Sequence, residues 1–419
     1  MGNTAGAVSI APEIADYHWL IEPQGERWLR EAEQLALPLH RLAEMLRRDL
    51  SAARTHLALE QIELRQRAAV KFRAAGRMFF TRLGLEQSTD QWVAAYKASR
   101  FPSGAPLADL CCGIGGDLLA MAACGPTLGL DRQPIAALLA EANLRMLAEE
   151  WKGGAVPTAT IRCSDVGELA RSGELAEFSA WHIDPDRRPH GRRTTRVELH
   201  EPNAERLEAW RAVQPHASFK LAPAAQLPEA WPGEAELEWI SRDGECKQLV
   251  AWFGNLTSIS GQRRATMVLP DGRSHSILGQ EAAGRKTPRP PLATTLGRYL
   301  FEPDAAVLAA HLSGTLAALH GLTSVAEGSV YLTGDAPLDE PALTTFAVMD
   351  VLPLQTRQLK QYLRERNIGR LEIKTRGVAH EPDQLRKTLQ VPGDERATLI
   401  CTPVPNGVGA IVAERIGKA

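Results

Sequence analysis

The chain has 419 residues, room for two or three domains, and its 44% hydrophobic and 23% charged content is that of an ordinary folded protein. A net charge of −2 excludes a global field for polyanions, so affinity for nucleic acid would have to come from local patches. The six cysteines form no CxxC pair and no zinc spacing, so neither a disulfide framework nor a metal site is expected. No apolar run nears the roughly 18 residues that span a bilayer, and no basic-then-apolar leader is evident, so a cytoplasmic protein with no membrane partner is expected.

Residues up to about Arg100 read as helical. Leu35, Leu37, Leu39, Leu42, Leu46 and Leu50, then Leu57, Leu59 and Leu64, recur among Arg and Glu with few breakers. This region is expected to cap the sheet that follows; a partner-binding helix pair is the alternative.

The segment Leu107-Ala-Asp-Leu-Cys-Cys-Gly-Ile-Gly-Gly-Asp117 is an apolar run ending in an acid, then a glycine-rich turn, then a helix from Leu118 to Ala123. Strand, loop and helix in this order open a nucleotide-binding α/β fold. Gly113 and Gly115 let the backbone approach a ligand closely, and Gly116 allows tight packing of helix on strand. A dinucleotide site would place a glycine at the sixth position from Gly113, where Leu118 stands, so that reading is weaker.

About 20 residues on, Thr127-Leu-Gly-Leu-Asp131 reads as the second strand of a βαβ unit. Asp131 is placed to accept both ribose hydroxyls of a nucleoside, or to cap the next helix, which Pro134, Ile135, Leu138, Leu139, Ala142 and Met146 mark. Ala159-Thr-Ile-Arg-Cys-Ser-Asp165 reads as a third strand. Its acid is a ligand group or the N-cap of a helix over Val166–Arg171.

Ala180-Trp-His-Ile-Asp-Pro-Asp-Arg-Arg188 is an apolar strand ending in Asp184-Pro185. Arg187, Arg188, Arg192, Arg193 and Arg196 follow, with Gly191 in a tight turn among them. Such a cluster suits phosphate, or else pairs with local acids such as Glu198 and Glu201. His182 and His190 lie close by, but no Gly-x-Ser-x-Gly turn makes them part of a hydrolase; His190 is either a base, a phosphate contact or a loop residue.

These pieces resemble, in order and interval, class I S-adenosylmethionine (SAM) methyltransferases. Asp109, Gly113 and Gly115 correspond to their motif I. The segments Lys71-Phe-Arg73, Met78–Thr89 and Ala94-Ala-Tyr-Lys-Ala-Ser-Arg-Phe101 upstream, and Gly244–Lys247, Trp252-Phe-Gly254, Arg263–Thr266, Tyr299–Asp304 and Leu371–Gly377 downstream, are similar to a bacterial family of such enzymes with a C-terminal THUMP-like domain. The resemblance implies SAM as cofactor, held by Asp109, Cys111, Gly113, Gly115, Asp131, Arg132 and Asp165. Asp184 and Pro185 resemble motif IV, the Asp/Asn-Pro-Pro-aromatic loop of enzymes that methylate exocyclic amines of bases, with Asp184 orienting the acceptor. Here Asp186 replaces the second proline and Arg187 the aromatic residue, so a stacking platform for a flipped base is missing at that position. THUMP domains bind tRNA ends, so by analogy the partner is RNA, with a tRNA or rRNA base as substrate. Arg187, Arg188, Arg192 and Arg193 are the expected phosphate contacts. The alternatives are an RNA-binding module with a vestigial cofactor pocket and a methyltransferase of a small anionic metabolite.

The expected architecture is α/β: a Rossmann-like, seven-stranded class I sheet, with an N-terminal helical region and a small α+β THUMP-like domain. The expected boundaries are 1–100 for the helices, 101–270 for the SAM-binding core, 271–344 for a linker and helical connector, and 345–419 for the THUMP-like domain. Ser218–Ala222 fits a fifth strand. Leu237–Ser241 and Gln248–Phe253 fit a closing pair about a turn at Asp243-Gly244. Gly272–Pro291 reads as linker, helices are expected around Ala305–His320, and the last region reads helix, strand, helix, strand. That region is mildly basic, with about 12 basic against 8 acidic residues from Phe346 to Ala419. Arg357, Lys360, Arg364, Arg366, Arg370, Lys374 and Arg376 lead it, and Lys360 and Arg364 share one helix face.

Overall fold

The structure is a computed structural model and describes residues 12–35, 37–150, 156–189, 191–279 and 288–417, with Glu150 by its backbone. It forms two units, one holding residues up to 221 with 252–257, the other 222–251 with 258 onward.

The first unit opens with six helices, α1 (Ile14–Ile21), α2 (Pro23–Leu35), α3 (Leu39–Leu46), α4 (Ala52–Ala68), α5 (Arg82–Gln87) and α6 (Gln91–Ala98). Side-chain caps set the starts of α4 and α6: Ser51 accepts from Arg54 N at 3.2 Å, and Asp90 from the backbone N–H groups of Trp92 and Val93 at 3.1 Å. The β-strands β1 (Leu107–Leu110), β2 (Thr127–Asp131), β3 (Ala159–Cys163), β4 (Ala180–Ile183) and β5 (Ala217–Leu221) follow, with α7 (Leu118–Ala122), α8 (Pro134–Glu150), α9 (Val166–Ser172) and α10 (Ala204–Val213) between them. All five are parallel, in the order β3-β2-β1-β4-β5. β1, β2, β4 and β5 are buried along their whole length, as parallel strands covered on both faces are. The order reverses between β1 and β4, and open α/β sheets bind ligands in the crevice at that point. Apolar residues of α1 to α4, among them Leu20, Leu29, Leu57 and Ile62, share one core with Leu139, Ala142 and Met146 of α8. Of the leucine stripe, Leu42, Leu46, Leu57 and Leu64 belong to this core, whereas Leu35, Leu37 and Leu39 are exposed.

The second unit begins with α11 (Trp231–Glu234), β6 (Glu236–Arg242) and β7 (Glu245–Trp252). β6 and β7 are joined by Asp243 and Gly244, with φ of 54° and 75°, the left-handed pair of a tight hairpin. β8 (Arg263–Val268) runs parallel to β6, and β9 (Ser274–Leu278) antiparallel to β8. The α/β region therefore carries nine strands among the described residues, two more than the seven expected. β9 falls inside the stretch expected to be linker. It is polar and only partly buried, so it shows no apolar alternation, and Gly272 and Gly279 flank it; the rest of that stretch, 280–287, lies outside the described residues.

β10 (Tyr299–Pro303), α12 (Ala305–Ala309), α13 (Ser313–His320), β11 (Thr323–Ser324) and β12 (Leu332–Gly334) lead into β13 (Leu343–Pro353), α14 (Thr356–Glu365), β14 (Ile368–Thr375), α15 (Pro382–Thr388), β15 (Glu395–Val404) and β16 (Gly407–Arg415). Their strands form one seven-stranded sheet, β11-β12-β10-β13-β16-β15-β14. The last region thus starts with a strand and ends in a hairpin, where helix, strand, helix, strand was expected. β13 escapes a pattern search because a register shift between Val348 and Asp350 breaks its period-two alternation. Among the described residues no helix is long and apolar enough to cross a membrane.

Candidate active site

The cavity at the β1/β4 switch point is built by the loops that leave the parallel strands. After β1 the chain turns through left-handed backbone at Cys111 (φ 65°), Gly113 (φ 57°) and Gly115 (φ 95°). A Cβ on Gly113 would meet no neighbour within 4 Å, so that residue presents bare backbone to the space beside it. Asp131 ties this turn to β2. Its Oδ2 accepts from Gly113 N and its Oδ1 from Gln133 N, each at 2.8 Å. Burial raises its pKa, and those two N–H groups act against the rise.

Asp109 is the unusual member. Its side chain lines the cavity at 1% exposure, and its Oδ2 has no hydrogen-bond partner among the described residues. Burial, and then the neighbouring Asp117 carboxylate, hold its pKa well above the usual range. An acid in this state calls for a cation or a donor from a ligand.

The structure brings Asp109, Cys111, Gly113, Asp131, Arg132, Asp165, Asp184, Pro185 and Arg187 to one cavity. Gly115 is not on its wall: its N–H closes the turn onto Cys112 O, and a Cβ on it would meet Leu119 and Ala140 rather than the cavity. Asp165 lines the cavity and also caps α9, accepting from Gly167 N at 2.8 Å. Burial pushes the Cys111 and Cys112 thiols well up, which keeps them protonated. Arg132 approaches Asp186 at 3.8 Å. In the arginine loop, Arg188 pairs with Glu86 at 3.1 Å and Arg196 with Glu198 at 3.9 Å. Arg192 and Arg193 are exposed and away from the cavity wall. Arg187 is half-buried on that wall, and no carboxylate lies within ion-pair distance of it among the described residues. His190 lies outside the described residues.

Three features went unread in the sequence. Lys220 of β5 lines the cavity and sits 2.6 Å from Asp184 Oδ2. Its signal was a lysine inside the short strand Ala217-Ser-Phe-Lys-Leu221, which is buried throughout. Behind Asp109, Lys97 of α6 pairs with Asp117 at 2.6 Å, and Asp117 also accepts from Thr89 Oγ1 at 2.6 Å and approaches His182 Nε2 at 3.4 Å. Finally Leu83, Gly84, Gln87, Ser88 and Thr89 form part of the wall. Gly116 permits this, since a Cβ there would lie 3.0 Å from Thr89 N. Among the described residues no group of three or more His, Cys, Asp or Glu side chains is placed to hold a metal.

Residues 343–415 match a family model described as THUMP domain-like, and residues 13–68 one described as a domain of unknown function. A protein of Mycobacterium tuberculosis (strain ATCC 25618 / H37Rv), named an uncharacterized S-adenosylmethionine-dependent methyltransferase, is 29% identical over 359 residues, covering 83% of this chain and 93% of its own. A crystal structure from Porphyromonas gingivalis W83, whose name proposes a methyltransferase, matches with a TM-score of 0.74 at 21% identity, over 93% of this chain and 97% of that one. The chain has the methyltransferase fold and a C-terminal THUMP-like domain. In this methyltransferase fold the unpartnered Asp109 carboxylate fits the ammonium of a SAM methionine end, the bare Gly113 backbone fits a closely passing ligand, and Asp131 fits the ribose edge. When bound, SAM would supply the reactive methyl group, and these residues would hold it.

Proposed function

We propose that this S-adenosylmethionine-dependent methyltransferase acts on RNA. The observation that carries the reading is Arg187. It is half-buried on the cavity wall, three residues after Asp184, without a carboxylate partner among the described residues, while Arg188 and Arg196 in the same loop are paired. A half-buried guanidinium left open at a cavity suits an anionic group of the substrate, and a phosphodiester is the anion RNA offers there. Exposed Arg192 and Arg193 extend the same positive edge outward. The THUMP-like domain supports the reading by analogy, and its α14 carries Arg357 and Arg364 in exposed positions.

On this reading Asp109, Gly113, Asp131 and Asp165 hold the cofactor, and Asp184 with Pro185 fixes the acceptor. The test is transfer of a labelled methyl group from SAM by the full chain to total tRNA and rRNA from cells lacking the gene. Label in RNA is the expected result. Label in small carboxylic acids, with none in RNA, would replace this reading with that of a metabolite methyltransferase.

A further inference from the structure

The acceptor end of the cavity holds a cation that decides what kind of atom can be methylated there. Lys220 rises from β5 beside β4 and reaches the tip of β4. Its ammonium lies 2.6 Å from Asp184 Oδ2 and donates to the Gln87 carbonyl at 3.0 Å. An ammonium has three N–H donors. Two are used in this way, and the third has no partner among the described residues, while the side chain lines the cavity. Burial works against the charge on Lys220, but Asp184 and Asp117 outweigh it and its pKa is raised, so it stays an ammonium at neutral pH.

An amine acceptor gains positive charge as the methyl group arrives, and a fixed ammonium in contact with it opposes that change. A hydroxyl acceptor behaves in the opposite way. Negative charge develops on its oxygen as the proton leaves, and a preorganised cation stabilises it. Lys220 occupies Asp184 Oδ2, which leaves Oδ1 to take the proton. Arg187 adds the second half of the argument. It sits close enough to Asp184 to feel its charge, and it is the open guanidinium of the wall. An anion site beside an acceptor site matches a ribose 2′-hydroxyl, which neighbours the phosphodiester, better than the far edge of a base.

We propose that the acceptor is a hydroxyl oxygen, the ribose 2′-hydroxyl of RNA, with Lys220 stabilising the oxygen and Asp184 taking its proton. The naming of ribose rests on the RNA reading above. In the step, a lone pair of the hydroxyl oxygen forms the new C–O bond. The methyl C–S bond breaks with its electron pair left on sulfur, and the hydroxyl proton passes to Asp184 Oδ1 and then to water.

The experiment uses the full chain, SAM labelled in its methyl group, and total RNA from cells lacking the gene. The RNA is then digested to nucleosides. Label on ribose, in a link that resists alkali, is expected. Label on a base overturns the hydroxyl assignment and leaves the RNA reading standing. Label in no RNA overturns both. Lys220→Met should lower transfer by about 100-fold or more, as loss of a charge-stabilising donor does, and Lys220→Arg should recover part of it. Cofactor affinity of Lys220→Met, measured by calorimetry, should stay within about threefold of the parent. Binding without cofactor gives a second readout. By fluorescence anisotropy a single-stranded ribo-oligonucleotide should bind the parent more tightly than its 2′-deoxy counterpart, and Lys220→Met should lose that preference. Equal binding of the two by the parent overturns the contact.

Discussion

Lys97 Nζ lies 2.6 Å from Asp117 Oδ1, with both side chains buried, so the glycine-rich turn ends in a buried ion pair. Breaking such a pair from one side strands a charge. Lys97→Met leaves the Asp117 carboxylate with Thr89 and a neutral His182, and should destabilise the protein by about 3–5 kcal/mol. Lys97→Met combined with Asp117→Asn should be less destabilised than the sum of the two single changes, because no charge is stranded. Urea unfolding of the three variants is the measurement; additive losses would mean that the two side chains do not act as a pair.

The same cluster sets an acid sensitivity. Burial, and then the Lys97 charge, lower the His182 pKa from its ordinary 6.5, and His182 is neutral in the folded protein. The unfolded chain takes up the proton first, so stability falls as pH drops below about 6.5. Asp117 is held well below 3.8: burial opposes this, but Lys97 and His182 outweigh it. Its contribution is present above pH 3.8 and is lost as pH falls through the lower folded value. Lys97 is lowered by burial, against the pull of Asp117, so the unfolded chain holds this proton longer as pH rises toward 10.5. Nearby Asp109, Asp184 and Lys220 share this field. Denaturation midpoints between pH 7 and pH 5 should therefore fall, and His182→Gln should flatten the slope. An unchanged slope in that variant would place the titrating group elsewhere.

Asp109→Asn separates stability from ligand binding. Burial and Asp117 disfavour the Asp109 charge, and its Oδ2 has no partner among the described residues, so a neutral amide should leave the ligand-free protein as stable as the parent or more so. The same change removes the counter-charge for an ammonium, and SAM affinity should drop about 10- to 100-fold, roughly the value of one charge-assisted hydrogen bond. Thermal unfolding without ligand and calorimetry with SAM read the two effects separately. A destabilised variant with normal SAM affinity would make Asp109 a structural residue.

Asp131→Ala should also weaken SAM binding about 10- to 100-fold, through lost acceptors for the ribose hydroxyls. Here a structural loss accompanies it, because both oxygens of Asp131 also hold backbone N–H groups of the turn. The variant should unfold earlier as well as bind more weakly. Full SAM affinity in a folded Asp131→Ala protein would reduce Asp131 to a turn-holder.

Local chemistry was legible in the sequence wherever it was contiguous. The Asp109-to-Gly115 turn, Asp131, Asp165 and the Asp184-Pro185 tip stood in order because each closes a strand of one parallel sheet, and strand ends recur at readable intervals. What escaped depends on distance along the chain. Lys220 meets Asp184 across 36 residues, and Lys97 meets Asp117 from a helix that reads only as apolar and alanine-rich. The pairing of Arg188 with Glu86 depends on a wall segment about a hundred residues upstream. Strand β9 went unread because an exposed, polar strand carries no burial pattern.

The arginine loop should show its phosphate contacts in salt dependence. The test uses charge reversal in the full chain, since β13 pairs with β10 from Leu343 to Ala347 and deletion from Thr345 would remove most of β13 and all of β14, β15 and β16 from that sheet. Arg192→Glu with Arg193→Glu removes two exposed cations without disturbing the cavity wall. Each lost contact to single-stranded RNA should lower the slope of log affinity against log salt by about 0.7. Arg188→Ala should change the slope less, because Glu86 already neutralises that side chain. Arg187→Ala should weaken RNA binding and also methyl transfer, since Arg187 lies on the wall beside Asp184. Filter binding of tRNA and rRNA fragments over a salt series, with calorimetry for SAM alongside, distinguishes these cases. A double reversal that leaves the slope unchanged would remove the loop from the RNA contact, and one that weakens SAM binding would mean that the loop supports the cofactor instead.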